Sequence, residues 1–162
     1  MLSAQMEAVQ ASVQRRWDPH FAWIINEDTP WAPLARPLAQ STVALVTTCG
    51  LYRADTQLPF AAWHDLGDAS FREIHIDTSP GRLWIAHTHY NHQHLAADLA
   101  VALPIAHFAR LVAEGVVGRL HPWTYSFMGY LPQPRQLIHE TAPIVARRLK
   151  AEAVDAVFLT PC

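Results

Sequence analysis

Four of the ten histidines, His87, His89, His92 and His94, fall within one eight-residue stretch, His87-Thr88-His89-Tyr90-Asn91-His92-Gln93-His94. Neutral imidazole ligates zinc and other borderline metals, and near neutral pH it also exchanges protons and hydrogen bonds. Two chemistries follow. One is a metal site on His87, His89 and His92, with zinc or iron as the candidate ion. The other is a polar loop whose rings bind backbone groups or substrate. Cys49 and Cys162 are the two cysteines of the chain. A thiolate is a strong nucleophile and redox group when a nearby cation or helix N-terminus lowers its pKa, so each is a candidate catalytic residue. The alternative for Cys49 is a small buried hydrophobe at a strand end. Ser126-Phe127-Met128-Gly129-Tyr130 combines aromatics, a methionine and a glycine as suits close packing near a pocket, and Asp98 and Glu140 are candidate acid or base groups.

The elements that must position these residues are legible from spacing. Thr42 to Thr47 is a short apolar run of β-formers closed by Cys49-Gly50, which predicts a buried strand ending near Thr48. Phe71, Ile74 and Ile76 mark a second extended segment. Leu83-Trp84-Ile85 marks a third that runs into the histidines, and Ala156 to Leu159 a last one. Ile105, Phe108, Leu111 and Val112 recur at helical spacing between Pro104 and Gly115. A second helix is predicted to about Ala153 with Ile144, Val145 and Leu149 on one face, Thr141 as its cap and Pro143 in its first turn. Strands separated by helices predict an α/β fold with a mainly parallel sheet and flanking helices, whose ligands bind beyond the carboxyl ends of the strands. Cys49, the histidine cluster and Cys162 all follow predicted strands and are expected to share that edge.

At 162 residues, 51% hydrophobic and 16% charged, the chain is read as one domain over 1–162. Residues 1–40 are its N-terminal helix, with Met6, Val9, Val13 and Trp17 on one face, and a proline-rich arm in which Trp31 and Leu34 would anchor. A net charge of -2 with scattered Lys and Arg argues against nucleic acid, and no apolar run approaches a membrane span. Two cysteines and no signal pattern make the cytoplasm the expected location.

Six segments, in register, carry a resemblance. These are Val43-Ala44-Leu45-Val46-Thr47-Thr48, Ser70-Phe71-Arg72-Glu73-Ile74, His87-Thr88-His89-Tyr90, Tyr125-Ser126-Phe127-Met128-Gly129-Tyr130, Glu140-Thr141-Ala142-Pro143 and Val154-Asp155-Ala156-Val157-Phe158-Leu159-Thr160-Pro161. From about Pro30 onward their order resembles the selenoprotein B family of the glycine, sarcosine, betaine and D-proline reductases. The resemblance implies an oxidoreductase that cleaves a carbon–nitrogen bond of a small amine or amino acid. A selenol or thiol would do so and be regenerated by a thioredoxin-type electron donor, with a second reductase subunit as a further partner. It implies that Cys162 stands at or beside the redox position, and that His87, His89, Tyr90, His92, Asp98, Tyr125 and Met128 line the substrate site. Departures are visible: His94 and Ala96 stand where the family tends to be acidic, and Cys49 falls at a variable position. The family continues beyond the Leu-Thr-Pro run with a selenocysteine or cysteine and a further αβ segment. Truncation at a selenocysteine codon just after Cys162 is therefore the expectation, and Cys162 as the redox residue of a short relative is its rival. The histidine spacing is also similar to the metal-binding motif of the metallo-β-lactamase fold, but Asn91 stands where that motif has aspartate. A metal-dependent hydrolase on the His87–His94 cluster is accordingly the second functional reading, and an inactive ligand-binding remnant the third.

Overall fold

In a computed structural model of the chain the described residues are 2–25, 28 and 30–161. They form two compact units that divide after Pro33. In the first, α1 spans Ala4–Arg16 and is capped by Ser3, whose side chain accepts from the Met6 amide. Beyond Asp18-Pro19 the chain turns back along the helix. The Trp23 indole N–H donates to the Met6 carbonyl (3.0 Å), and the Gln14 amide to the Phe21 carbonyl (2.8 Å). Met6, Val9 and Trp17 remain exposed, so the predicted apolar face gains little burial. Trp31 and Leu34 are exposed too.

The second unit is built on β1 (Thr42–Thr47), whose six residues are all buried. A strand covered on both faces needs a continuous apolar run, and Val43-Ala44-Leu45-Val46 supplies one. In chain order follow β2 (Leu51–Arg53), β3 (Arg72–His75), β4 (Leu83–Ile85), α2 (Gln93–Ala97), α3 (Ile105–Ala113), β5 (Arg119–Leu120), β6 (Trp123–Ser126), α4 (Ala142–Ala151) and β7 (Ala156–Thr160). β1 pairs in parallel with β5, β6 and β7, while β3 closes the far side antiparallel to β6. β2 and β4 form a separate antiparallel ribbon. The protein is thus α/β with a mainly parallel sheet. Ala44 and Val46 pack with Tyr125, Phe127, Val145 and Leu149 beneath α4. Leu45 faces the opposite layer with Ile74, Leu103 and Leu120, backed by Phe108 and Val112 of α3.

Two details depart from the sequence reading. Leu51–Arg53, Arg119–Leu120 and Trp123–Ser126 are strands that it did not single out. The last two lie on one edge of β1 with a bulge between them. Thr42 pairs with Arg119 and Val46 with Tyr125, so four steps on β1 meet six on the partner. His121-Pro122 falls in that bulge, where a proline costs no ladder bond. The buried His121 ring sits between the Trp123 carbonyl (2.8 Å) and the Glu152 carboxylate (2.6 Å). Thr141, expected as a helix cap, makes no capping bond. It ends a π turn, Leu137–Thr141, that runs directly into α4. Pro143 lacks the N–H an unbroken α-helix would use, and a π turn immediately upstream absorbs that irregularity.

β7 is set in place at its start. The Asp155 carboxylate accepts from the Thr42 amide (2.8 Å), the Asp155 amide donates to the Thr42 carbonyl (2.9 Å), and Arg36 pairs with the same carboxylate (3.1 Å).

Candidate functional site at the carboxyl edge of the sheet

Thr47 organises the edge. Its hydroxyl donates to the Thr160 carbonyl at the end of β7 (3.2 Å) and accepts from the Cys49 amide (3.2 Å). The Thr48 amide adds a second bond to Thr160 (3.1 Å). The ends of β1 and β7 are therefore tied together, as parallel neighbours allow. Cys162 lies outside the described residues. Cys49 is fully buried, and no free cysteine stands among the described residues.

The histidine loop is fastened to this edge through Gly50. Its amide donates to the Phe127 carbonyl and its carbonyl accepts from the Ala86 amide, both at 2.9 Å. Gly50 has φ +69°, and a Cβ there would lie 2.7 Å from the Ala86 oxygen and 3.0 Å from the His87 Cβ. Only glycine permits so close an approach. The Tyr90 hydroxyl donates to the Cys49 carbonyl (2.8 Å), pinning the loop from its other side. Burial pushes the Tyr90 phenol up to about 12, so at neutral pH it is a proton donor, not a phenolate.

His87 is 4% exposed. Burial, aided by the neighbouring His89 and His92, brings its pKa down to about 4, and the ring is neutral at pH 7. Its Nδ1 accepts from the His89 amide (3.1 Å), which leaves the proton on Nε2. That Nε2 is buried and has no hydrogen-bond partner among the described residues. A buried unpaired donor costs about 1–3 kcal/mol, a cost that a bound acceptor would relieve. His92 stacks edge-on against Tyr90 (4.5 Å), and its Nε2 is also buried with no partner among the described residues.

The remaining predicted residues divide. Met128 is buried at the edge, bridged to Cys49 and packed with Phe60, Ala62 and Ala86. Tyr125 lies in the core beneath α4, against Phe71, and Asp98 caps the turn at Leu99–Val101 on the exposed surface. Neither joins the histidine loop in the hydrogen bonds and ring contacts seen. His94 and Glu140 are exposed in helical turns. Among the described residues no group of three or more His, Cys, Asp or Glu side chains is arranged to hold a metal ion. Of the rings considered from their spacing as a zinc or iron site, His87 has its Nδ1 taken by the His89 amide and packs edge-on against His89 and Tyr90. Sequence reasoning passed over the segment around Trp63 and Asp65, which lies beside His89 and Tyr130. The run Ala61-Ala62-Trp63-His64-Asp65 holds an indole, an imidazole and a carboxylate together, and was the signal available.

A parallel sheet with loop-borne imidazoles at its carboxyl edge is the layout of an α/β ligand-binding or catalytic domain. Residues 21–162 match the model of the glycine/sarcosine/betaine reductase selenoprotein B family, and the chain belongs to that family. It is 37% identical over 131 residues to the D-proline reductase subunit gamma of Acetoanaerobium sticklandii, covering 80% of this chain and 52% of that one. It is 27% identical over 133 residues to the glycine reductase complex component B subunit gamma of Carboxydothermus hydrogenoformans, covering 81% of this chain and 30% of that one. The chain thus spans about half, or less, of the length of these curated relatives. No solved structure matches it. Among the described residues no helix is long and apolar enough to cross a membrane.

Proposed function

We propose that this chain is part of a thiol- or selenol-dependent oxidoreductase that cleaves a carbon–nitrogen bond of a small amine or amino acid. The observation that carries this reading is the Thr47–Thr160 tie. It brings the Leu159-Thr160-Pro161 run to the edge that holds Cys49 and the histidine loop. A redox group at Cys162, or just after it in a longer chain, would then work beside His87 and Tyr90. In such a reaction the carbon–nitrogen bond takes up two electrons and two protons, one proton going to carbon and one to nitrogen. The electrons come from a selenol or thiol and a second thiol, which become oxidised to a mixed bond and are restored by a thioredoxin-type donor. The neutral His87 Nε2–H and the Tyr90 hydroxyl region supply hydrogen bonds there, not negative charge. The relatives are named as subunits, which supports a second reductase subunit as partner.

The test uses the full chain with dithiol and D-proline, sarcosine, glycine or betaine, alone and with a candidate second subunit. Dithiol-dependent cleavage products that disappear in Cys162→Ser support the reading; the same yield from that variant would overturn it. The reading that the working form is longer is tested by the messenger RNA. In-frame codons after position 162 encoding cysteine and a further helix and strand would uphold it, and unrelated sequence would end it.

A further inference from the structure

Beside the histidine loop is a hollow of about 280 Å3 whose walls include Trp63, His64, Asp65, Thr88, His89 and Tyr130. Hydrogen bonding sets the tautomer of His89. The Thr88 hydroxyl donates its one proton to the Ala62 carbonyl (2.8 Å), so at 3.1 Å it can only accept from His89 Nδ1–H. The neutral His89 ring then carries its free lone pair on Nε2. His87 has the opposite tautomer, with Nδ1 as acceptor. Adjacent imidazoles thus present an acceptor and a donor.

The walls are held. The His89 ring lies flat on Tyr130, centroids 3.6 Å apart and planes within 7°. The Tyr130 hydroxyl donates to the Asp65 carbonyl (3.4 Å). Gly67, at φ +72°, lets the two loops meet, because a Cβ there would lie 2.0 Å from the Tyr130 oxygen. Trp63 is 88% exposed, an indole face with almost no protein on it. The lining holds one carboxylate, Asp65, and neither lysine nor arginine. Aromatic faces carry negative quadrupole density and attract cations, and the acceptors here add to that preference.

From this geometry we infer that the hollow binds a small ammonium cation, with its N–H on His89 Nε2 and its methylene groups against Trp63 and Tyr130. Trp63, Asp65 and Tyr130 are then specificity-determining residues beside the redox edge. The inference deepens the amine-reductase reading and rests on it only for the identity of the natural ligand.

Two probes built on one ring test it on the full 15N-labelled chain: pyrrolidinium, which has N–H donors, and N,N-dimethylpyrrolidinium, whose two N-methyl groups replace them. Pyrrolidinium is expected to shift the Thr88, His89 and Tyr130 amides and the Trp63 indole. Its affinity should fall by about tenfold in Trp63→Ala or Asp65→Asn, both surface changes. Its advantage over the quaternary probe should vanish in His89→Phe, which keeps the stack but loses the acceptor. Unmoved amides, or unchanged affinity in Trp63→Ala and Asp65→Asn, would overturn the inference. Binding in the hollow without dithiol-dependent cleavage of any amine would instead sink the reductase reading alone. Cleavage of D-proline by Trp63→Ala at the parental KM would sink the hollow alone.

Discussion

His87 and His121 show two ways of burying an imidazole. His121 has partners on both nitrogens, one of them a carboxylate on the half-exposed Glu152. Replacing His121 with Ala removes both contacts from a tight bulge and is expected to lower stability by about 2 kcal/mol in urea unfolding. Glu152→Gln keeps a hydrogen-bonding oxygen and should cost less than half of that. His87 pairs at Nδ1 alone, and its depressed pKa makes folding pH-dependent. A free imidazole in the unfolded chain titrates near 6.5, whereas the folded ring takes a proton only near 4. Between those values the unfolded chain binds more protons, so stability falls as pH drops from about 6.5 to about 4, by at most about 3 kcal/mol. His87→Gln should flatten the profile in that window, read from urea midpoints. The histidine spacing was visible in the sequence, but the opposite roles were not. They depend on Gly50 and on a bulge far along the chain, neither of which alters local spacing.

Elements with a strong local signal were legible. β1 was an apolar run bounded by Cys49-Gly50, and α3 was marked by Pro104 and by Gly115, which takes φ +72° past the helix end. β5 and β6 were not, because Arg119-Leu120 is too short to show a period and Pro122 interrupts the strand between them. The end of α4 carries a strained residue that the sequence hid. Ala153 takes φ 55°, in the left-handed region where a Cβ is disfavoured, so that Val154 can bond back to Leu149. Ala153→Gly should therefore stabilise the fold by about 0.5–1 kcal/mol, a rise of about 2 °C in Tm by calorimetry. A stabilised α4 end would also test whether the Asp155 clamp on Thr42 is limited by that turn.

At the scale of the whole molecule, Cys49, the histidine cluster and Cys162 were expected to share one sheet edge; Cys49, His87 and the end of β7 at Thr160 lie there, and Cys162 is outside the described residues. The shared side of the β1 and β7 ends was foreseeable because parallel strands put their carboxyl ends together, whereas the histidine loop leaves the separate β2–β4 ribbon and reaches that edge through Gly50. The hollow around Trp63 was not foreseeable, since its walls come from three segments, around Trp63, His89 and Tyr130, that meet through long-range contacts such as the Thr88–Ala62 bond. β7 also leaves a consequence at this scale. It pairs with β1 on one side, and Val157, Phe158 and Leu159 are 42%, 45% and 67% exposed. Among the described residues no strand pairs with the other edge of β7, and an open edge with apolar residues on both faces promotes strand addition between molecules. Leu159→Lys is expected to reduce self-association in concentration-dependent light scattering without lowering Tm by more than a degree or two.

The position of β1 in the sheet also sets an order of events during synthesis. Its partners are drawn from residues 119–126 and 156–160, and its first residue is bonded to Asp155 across 113 positions. Such distant pairing makes loop closure the slow step. While the ribosome is still making residues 48 to 118, Thr42–Thr47 is an apolar strand without neighbours. Slowing translation between residues 48 and 118 should therefore raise the insoluble fraction more than slowing it before Thr42.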